Sequence, residues 1–378
     1  MRVYLDNAAT TPMDSEVVEA MYGVMKNTFG NPSSVHAYGR EARSVIDRAR
    51  KIVAELLNAA PAEIFFTSGG TEANNMVLRK SVQDLQVTRI ITSPIEHHAV
   101  LHTAEELAAE GKIKLDLVKL DAFGRVDFDH LRTLLQTDDK TLVSLMHANN
   151  EVGTKLDLPA AAVICQEAGA FFHSDAVQTM GHYPFDLAGT PIHFTNCAAH
   201  KFHGPKGIGF CYIRSDVSLH PFITGGAQER NMRAGTENIY GIVGLAKALE
   251  VAHRNMESDS AYVRGLKHYF MDRLREQIRG VEFTGDTSED SLYTVLNVLF
   301  PPTPDSDMLL FKLDIEGVSV SGGSACSSGS NVGSHVIYAL RGVTDRPSIR
   351  FSFSKFNTRE ELDFTLSVLK NMFSEQVA

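Results

Sequence analysis

The chain has 378 residues, 43% of them hydrophobic and 22% charged, with a formal net charge of −10 at pH 7. That length accommodates a large domain with a smaller one attached, and the composition excludes disorder, a collagen-like repeat and a disulfide-stapled mini-protein. The acidity disfavours nucleic acid and anionic membranes as partners, and no apolar run approaches the roughly 20 residues that span a bilayer.

The opening stretch, MRVYLDNAATTP, has no apolar core of the kind a secretory leader carries. Apolar runs that alternate with helical periods then predict a series of strands and helices. A strand is expected from Glu63 to Thr67, then Ser68-Gly69-Gly70 and a helix from Thr71. Further strands are expected at 89–92, 113–118, 142–146, 170–173, 194–198 and 207–213, with helices at 98–110, 126–135 and 158–168. This alternation predicts an open, mostly parallel α/β sheet with helices on both faces and a ligand at the carboxyl ends of its strands. A long helical stretch follows from 242 to 278, with a break expected near Ser258. Strands at 294–300, 318–320 and 349–353 and helices at 307–313 and 359–373 no longer alternate regularly, which predicts a smaller α+β domain. The expected division is an N-terminal segment 1–14, a large domain 15–257 and a small domain 258–378.

The four cysteines, Cys165, Cys197, Cys211 and Cys326, form no C-x-x-C pair, and free thiols suit a reducing cytoplasm. None of the fifteen histidines sits in an H-E-x-x-H pattern, so a metalloprotease is not indicated. Four segments can carry chemistry. Ser68-Gly69-Gly70-Thr71 ends a strand and opens a helix, which makes an anion site suited to phosphate or simply a capped turn. In HSDAVQ, Asp175 and Gln178 leave the end of an apolar strand; a carboxylate there can hold a proton on a heterocyclic nitrogen, or start a turn. In AHKFHGPKG a lysine follows an apolar strand and can form a Schiff base, with Lys201 and Lys206 equally eligible by chemistry alone. Cys326 lies in SGGSACSSGS, whose composition predicts a flexible arm that could carry a thiol into a site or serve as a linker.

Together these segments resemble the cysteine desulfurases of the NifS/IscS type, class V aminotransferases with the fold type I of pyridoxal 5'-phosphate (PLP) enzymes. The matching stretches are YLDNAATTP (4–12), GNPSSVHAYGR (30–40), FTSGGTEANN (66–75), EHHAV (96–100), HANNEVGT (147–154), HSDAVQ (173–178), HKFHGPKG (200–207), RAGTEN (233–238) and SGGSACSSG (321–329). The resemblance implies a large domain with a mostly parallel seven-stranded sheet, a smaller α+β domain and PLP as cofactor. It implies that Lys201 is the Schiff-base lysine, that Asp175 pairs with the pyridinium nitrogen and that Gln178 bonds the ring's phenolic oxygen. His97 would stack on the ring and move protons, although His98 could do so by chemistry. Gly70, Thr71 and His200 would bind the phosphate, and Thr236 would reach the phosphate in a neighbouring subunit, which implies a homodimer. Asn150 and Arg350 would hold the carboxylate of L-cysteine. Cys326 would take the sulfur as a persulfide, leave L-alanine, and pass the sulfur to an acceptor such as an iron–sulfur scaffold protein. No resident metal is implied, although Cys326 could serve as a transient iron–sulfur ligand.

Two departures stand out. The family usually has a hydroxyl residue where this chain has Ala198, and the SSGSNVGSHVIYALRG that follows Cys326 lacks the Glu-Pro-Ser common in the housekeeping branch. The second bears on the acceptor. Selenocysteine lyase and other class V reactions are the alternatives within the enzyme class. A non-enzymatic scaffold is disfavoured because Lys201, Asp175, His97 and Cys326 are all retained.

Overall fold

In the computed structural model of the protein, residues 1–322 and 333–374 are described. The chain begins with β1 (Val3–Tyr4) and the helices α1 (Ser15–Asn27) and α2 (Ala37–Leu56), which occupy a stretch with no expected element. Asp14 caps α1 by accepting from the Glu16 N–H, and α2 buries Ala42, Ile46, Ala49 and Val53 at helical spacing. The alternating region follows: β2 (Ile64–Thr67), α3 (Gly70–Asp84), β3 (Arg89–Thr92), α4 (His98–Ala109), β4 (Lys114–Leu117), α5 (Phe128–Leu134), β5 (Thr141–Ser144), α6 (Leu158–Glu167), β6 (Phe171–Asp175), β7 (Phe194–Ala198) and β8 (Gly209–Ile213). Asp127 and Asp157 cap α5 and α6 in the same way as Asp14 caps α1.

These strands form one seven-stranded sheet in the order β2-β8-β7-β6-β5-β3-β4. β8 runs antiparallel to both β7 and β2; every other pairing is parallel. Six strands therefore point the same way, and the carboxyl ends of β2, β3, β5, β6 and β7 open on one edge, where Asp175 ends β6 and Gly70, His97, Asn150 and Lys201 follow their strands. Strands buried on both sides, such as Phe194–Ala198, need cover on both faces. One face packs on α1, α2, α6 and the first part of α8 (Ile239–Gln277), while the other packs on α3 and α4. Before α8 comes the short helix α7 (Gln228–Asn231), whose Glu229 and Arg230 have left-handed backbone angles, φ 46° and 55°.

α8 is a single helix through Ser258, where the sequence pattern suggested a break. Its Lys267 Nζ bonds Ser291 Oγ and the Leu292 carbonyl, so a charged residue in the buried face is satisfied rather than disruptive. The remaining elements are β9 (Glu282–Thr284), β10 (Val295–Leu299), α9 (Leu309–Ile315), β11 (Val318–Ser319), α10 (His335–Arg341), β12 (Ser348–Ser352) and α11 (Arg359–Ser374). β12, β10 and β9 form an antiparallel three-stranded sheet, and β1 pairs with β11 in parallel. A second apolar core joins this sheet to the latter half of α8, α11 and the N-terminal residues Val3 and Leu5. Among the described residues no helix is long and apolar enough to cross a membrane.

Candidate active site

The strand ends and the N-terminal segment enclose a cavity of about 280 Å³. It is lined by residues of six of the motif segments and by Arg350 from the small sheet.

At one end lies the start of α3. The helix has 15 residues, so its first N–H groups and its dipole favour an anion there. A Cβ on Gly70 would lie 2.6 Å from Val177 Cγ2, so the helix end approaches the turn after β6 only because position 70 has no side chain. Thr71 and His200 line the same cavity. His200 Nδ1 is 3.2 Å from Thr10 Oγ1, and burial, helped by the charges of Lys201 and Lys206, lowers its pKa to about 4. Ala198 also faces the cavity and brings no hydroxyl.

Asp175, the last residue of β6, is 5% exposed. Its Oδ2 accepts from Asn74 Nδ2 at 2.6 Å and its Oδ1 from the Val177 N–H at 2.9 Å. Asn74 in turn accepts a hydrogen bond from Asn196 Nδ2, so three neighbouring elements fix the carboxylate. Gln178 donates from Nε2 to the Ala8 carbonyl at 3.1 Å. Lys201 follows β7, and its Nζ donates to the carbonyls of Ala8 and Ala9 at 2.6 and 2.8 Å. Lys206 is exposed and off the cavity, so position distinguishes the two lysines where chemistry could not.

His97 and His98 both reach the cavity. His97 Nδ1 accepts from the Ala99 N–H at 3.1 Å as the N-cap of α4, which places the proton of the neutral ring on Nε2. Burial lowers the His97 pKa, against an opposing pull from Asp175. Burial and the neighbouring His335 and His102 take His98 down to about 4. Both rings are neutral at pH 7. Asn150 and Arg350 stand together: Arg350 Nη1 donates to the Asn150 carbonyl at 2.9 Å.

One expected residue is elsewhere. Thr236 is exposed in the segment before α8 and does not line the cavity. Cys326 lies outside the described residues. Asn74 and His335 line the cavity without having been expected there. Asn74 belongs to the FTSGGTEANN stretch, but only the fold shows that it faces Asp175 across the sheet.

Comparison with known proteins places this geometry. The family model described as "Aminotransferase class-V" matches residues 3–364. The chain belongs to the class V aminotransferase family. Within it, the chain is 42% identical to a protein named "Cysteine desulfurase IscS" from Dictyoglomus turgidum, over 99% of this chain and 95% of that one. It is 44% identical to "Putative cysteine desulfurase IscS 1" from Bacillus subtilis, over 96% of each chain. A solved "NIFS-LIKE PROTEIN" superposes with a TM-score of 0.91 at 37% identity, covering 99% of this chain and 100% of that one. Family members of this kind depend on PLP. The residues present fit that cofactor: a helix N-terminus for the phosphate, a doubly anchored carboxylate for the ring nitrogen and a lysine amine on the same cavity.

Proposed function

We infer that this chain is a PLP-dependent cysteine desulfurase, which takes sulfur from L-cysteine and leaves L-alanine. The observation that carries the reading is the convergence of Lys201, Asp175, His97 and Arg350 on one cavity in a chain about 40% identical to named desulfurases. A structural relative solved as "SspA in complex with cysteine", 30% identical with a TM-score of 0.81, supports cysteine as the substrate.

Gly70, Thr71 and His200 would hold the cofactor phosphate, Asp175 the ring nitrogen and Gln178 the phenolic oxygen. When bound, PLP supplies an electron sink that makes the Cα proton of the amino acid removable and the Cβ–S bond breakable. Lys201 Nζ is the base that takes the Cα proton. The carbonyls of Ala8 and Ala9 stand 2.6 and 2.8 Å from that nitrogen and hold it over the cavity. Neutral His97, with its proton on Nε2, can give and receive a proton beside Asp175. Asn150 and Arg350 orient the substrate carboxylate. Cys326 attacks the substrate sulfur as its thiolate and keeps it as a persulfide.

A sulfur acceptor must then take the persulfide sulfur; an iron–sulfur scaffold protein is the proposed acceptor. The exposure of Thr236 supports a homodimer in which it serves the neighbouring subunit's site. The small domain core, which includes Val3 and Leu5, supports the division into 1–14, 15–257 and 258–378. The buried free thiols Cys165, Cys197 and Cys211 support a cytoplasmic setting.

The test is a timed assay of PLP-loaded protein with L-cysteine and dithiothreitol, with alanine and sulfide both quantified. Equal yields of the two products support desulfuration. Alanine absent from protein that visibly holds PLP would sink it. Parallel reactions with selenocysteine and with a keto acid acceptor separate the lyase and transamination alternatives.

A further inference from the structure

Arg350 is 2% exposed, so its guanidinium must find partners inside the protein. It has two. Nη1 donates to the Asn150 carbonyl at 2.9 Å, and Nη2 donates to Asp6 Oδ1 at 2.8 Å. Nε is buried and has no hydrogen-bond partner among the described residues. The Asp6 bond does not arise from Arg350 seeking any nearby charge, because Asp6 is itself built in. The backbone of Asp6 bridges to Ser352, two residues beyond Arg350 on the same strand. Ser321 Oγ donates to the same Oδ1 at 2.8 Å, and the Ser321 backbone bridges to that of Arg350 through the 2.7 Å bond from Arg350 N to Ser321 O. Asp6, Ser321 and Arg350 thus form a clasp of three chain segments, with the guanidinium as its only member on the cavity wall.

We propose that Asp6 is a positioning residue for substrate recognition: it pins Nη2 of Arg350 so that the guanidinium N–H groups not taken by Asn150 and Asp6 keep one orientation toward the cavity, where the carboxylate of the amino acid binds. The proposal rests on the reading of Arg350 as the carboxylate-binding residue. The chemistry is that of a planar fork with five N–H donors. The Asn150 carbonyl and Asp6 each engage one Nη nitrogen, and a bidentate carboxylate needs two adjacent donors held in one plane. Without Asp6 the long side chain regains rotamers, and the substrate carboxylate must order them itself. Asp6 does not line the cavity, so its loss acts on binding rather than on the chemical step.

The test uses the full-length, PLP-loaded enzyme. Asp6→Asn keeps the shape and removes the charge. The expected result is a KM for L-cysteine raised roughly 10- to 100-fold, the scale of one charge-assisted hydrogen bond, with kcat within a few fold of the parent. A parallel titration with L-alanine, followed through the cofactor's absorbance band, should show the same loss of affinity without turnover. Asp6→Glu should recover part of it. An unchanged or lowered KM in Asp6→Asn would overturn the proposal, the lowered value marking Asp6 as a competitor for the guanidinium. Loss of fold in both Asp6 variants would also overturn it, making Asp6 a structural counter-charge. Arg350→Lys tells this failure from failure of the underlying reading. If Arg350→Lys raises KM and Asp6→Asn does not, only the role of Asp6 falls. If neither does, the carboxylate assignment falls as well.

Discussion

Asn74→Ala probes how the cavity holds its carboxylate. Asn74 Nδ2 donates to Asp175 Oδ2 at 2.6 Å in a fully buried setting, and the same amide accepts from Asn196 Nδ2. The substitution leaves Asp175 with the Val177 N–H as a donor and leaves the Asn196 amide without its acceptor. A buried hydrogen bond to a charged group is worth about 1.5–3 kcal/mol. If that energy orients Asp175 toward the ring nitrogen, its loss weakens cofactor retention by about 10- to 150-fold. The unsatisfied Asn196 amide adds a folding cost of about 1–3 kcal/mol. Two assays separate the effects: titration of the apo protein with PLP, followed by absorbance, and chemical unfolding of the apo protein. Weaker PLP binding together with lower apo stability is expected. A PLP affinity within about two-fold of the parent would refute the claim that the Asn196–Asn74–Asp175 chain supports the cofactor.

Gly209→Ala should destabilise the sheet beneath the phosphate turn, because a Cβ there would lie 2.2 Å from the Cys197 carbonyl oxygen and 2.9 Å from Gly69 Cα. The cost should reach about 2 kcal/mol or more, read as a lowered unfolding midpoint; a parent-like midpoint would contradict the packing described. Stability should also fall on acidification below pH 7. Burial takes His173 from its ordinary 6.5 down to about 4, and His193, His200 and His203 likewise to about 4. The unfolded chain therefore binds protons that the folded chain excludes, and stability is lost as pH drops from above 6.5 toward 4. For the fully buried His173 the loss is about 2 kcal/mol between pH 7 and pH 5. Unfolding curves at the two pH values check it, and equal stabilities would be the contrary result.

The sheet was legible because its strands are short apolar runs separated by helical periods. Arg89–Thr92 and Phe194–Ala198 lie where the pattern puts them. The helices α1 and α2 were less legible. The buried stripe of α2, Ala42, Ile46, Ala49 and Val53, includes two alanines and is interleaved with Arg43, Arg48, Arg50 and Lys51, which dilutes its signal. The unbroken α8 shows the opposite effect. Polar residues around Ser258 look like an interruption, yet tertiary packing on two cores carries the helix through them.

At the site, sequence chemistry left Lys201 and Lys206 equal, and the turn after β7 separates them by putting one on the cavity and the other in solvent. Asp6 and Asn74 were not legible as site residues. Their importance lies in partners far along the chain, Arg350 for one and Asp175 for the other, and only the folded chain brings those pairs together. The motif that contains Asp6 was visible; the bond that gives it a job was not.

In the proposed reaction sulfur passes from L-cysteine to Cys326. The most direct measurement is the mass of the Cys326-containing peptide after PLP-loaded protein meets L-cysteine with no reductant present, with Cys326→Ala in parallel. The account predicts a gain of one sulfur atom on that peptide, matched by one alanine released per site, and neither in the variant, which should still hold its cofactor. Alanine formed equally well by Cys326→Ala, with no sulfur gained by the parent peptide, would contradict it.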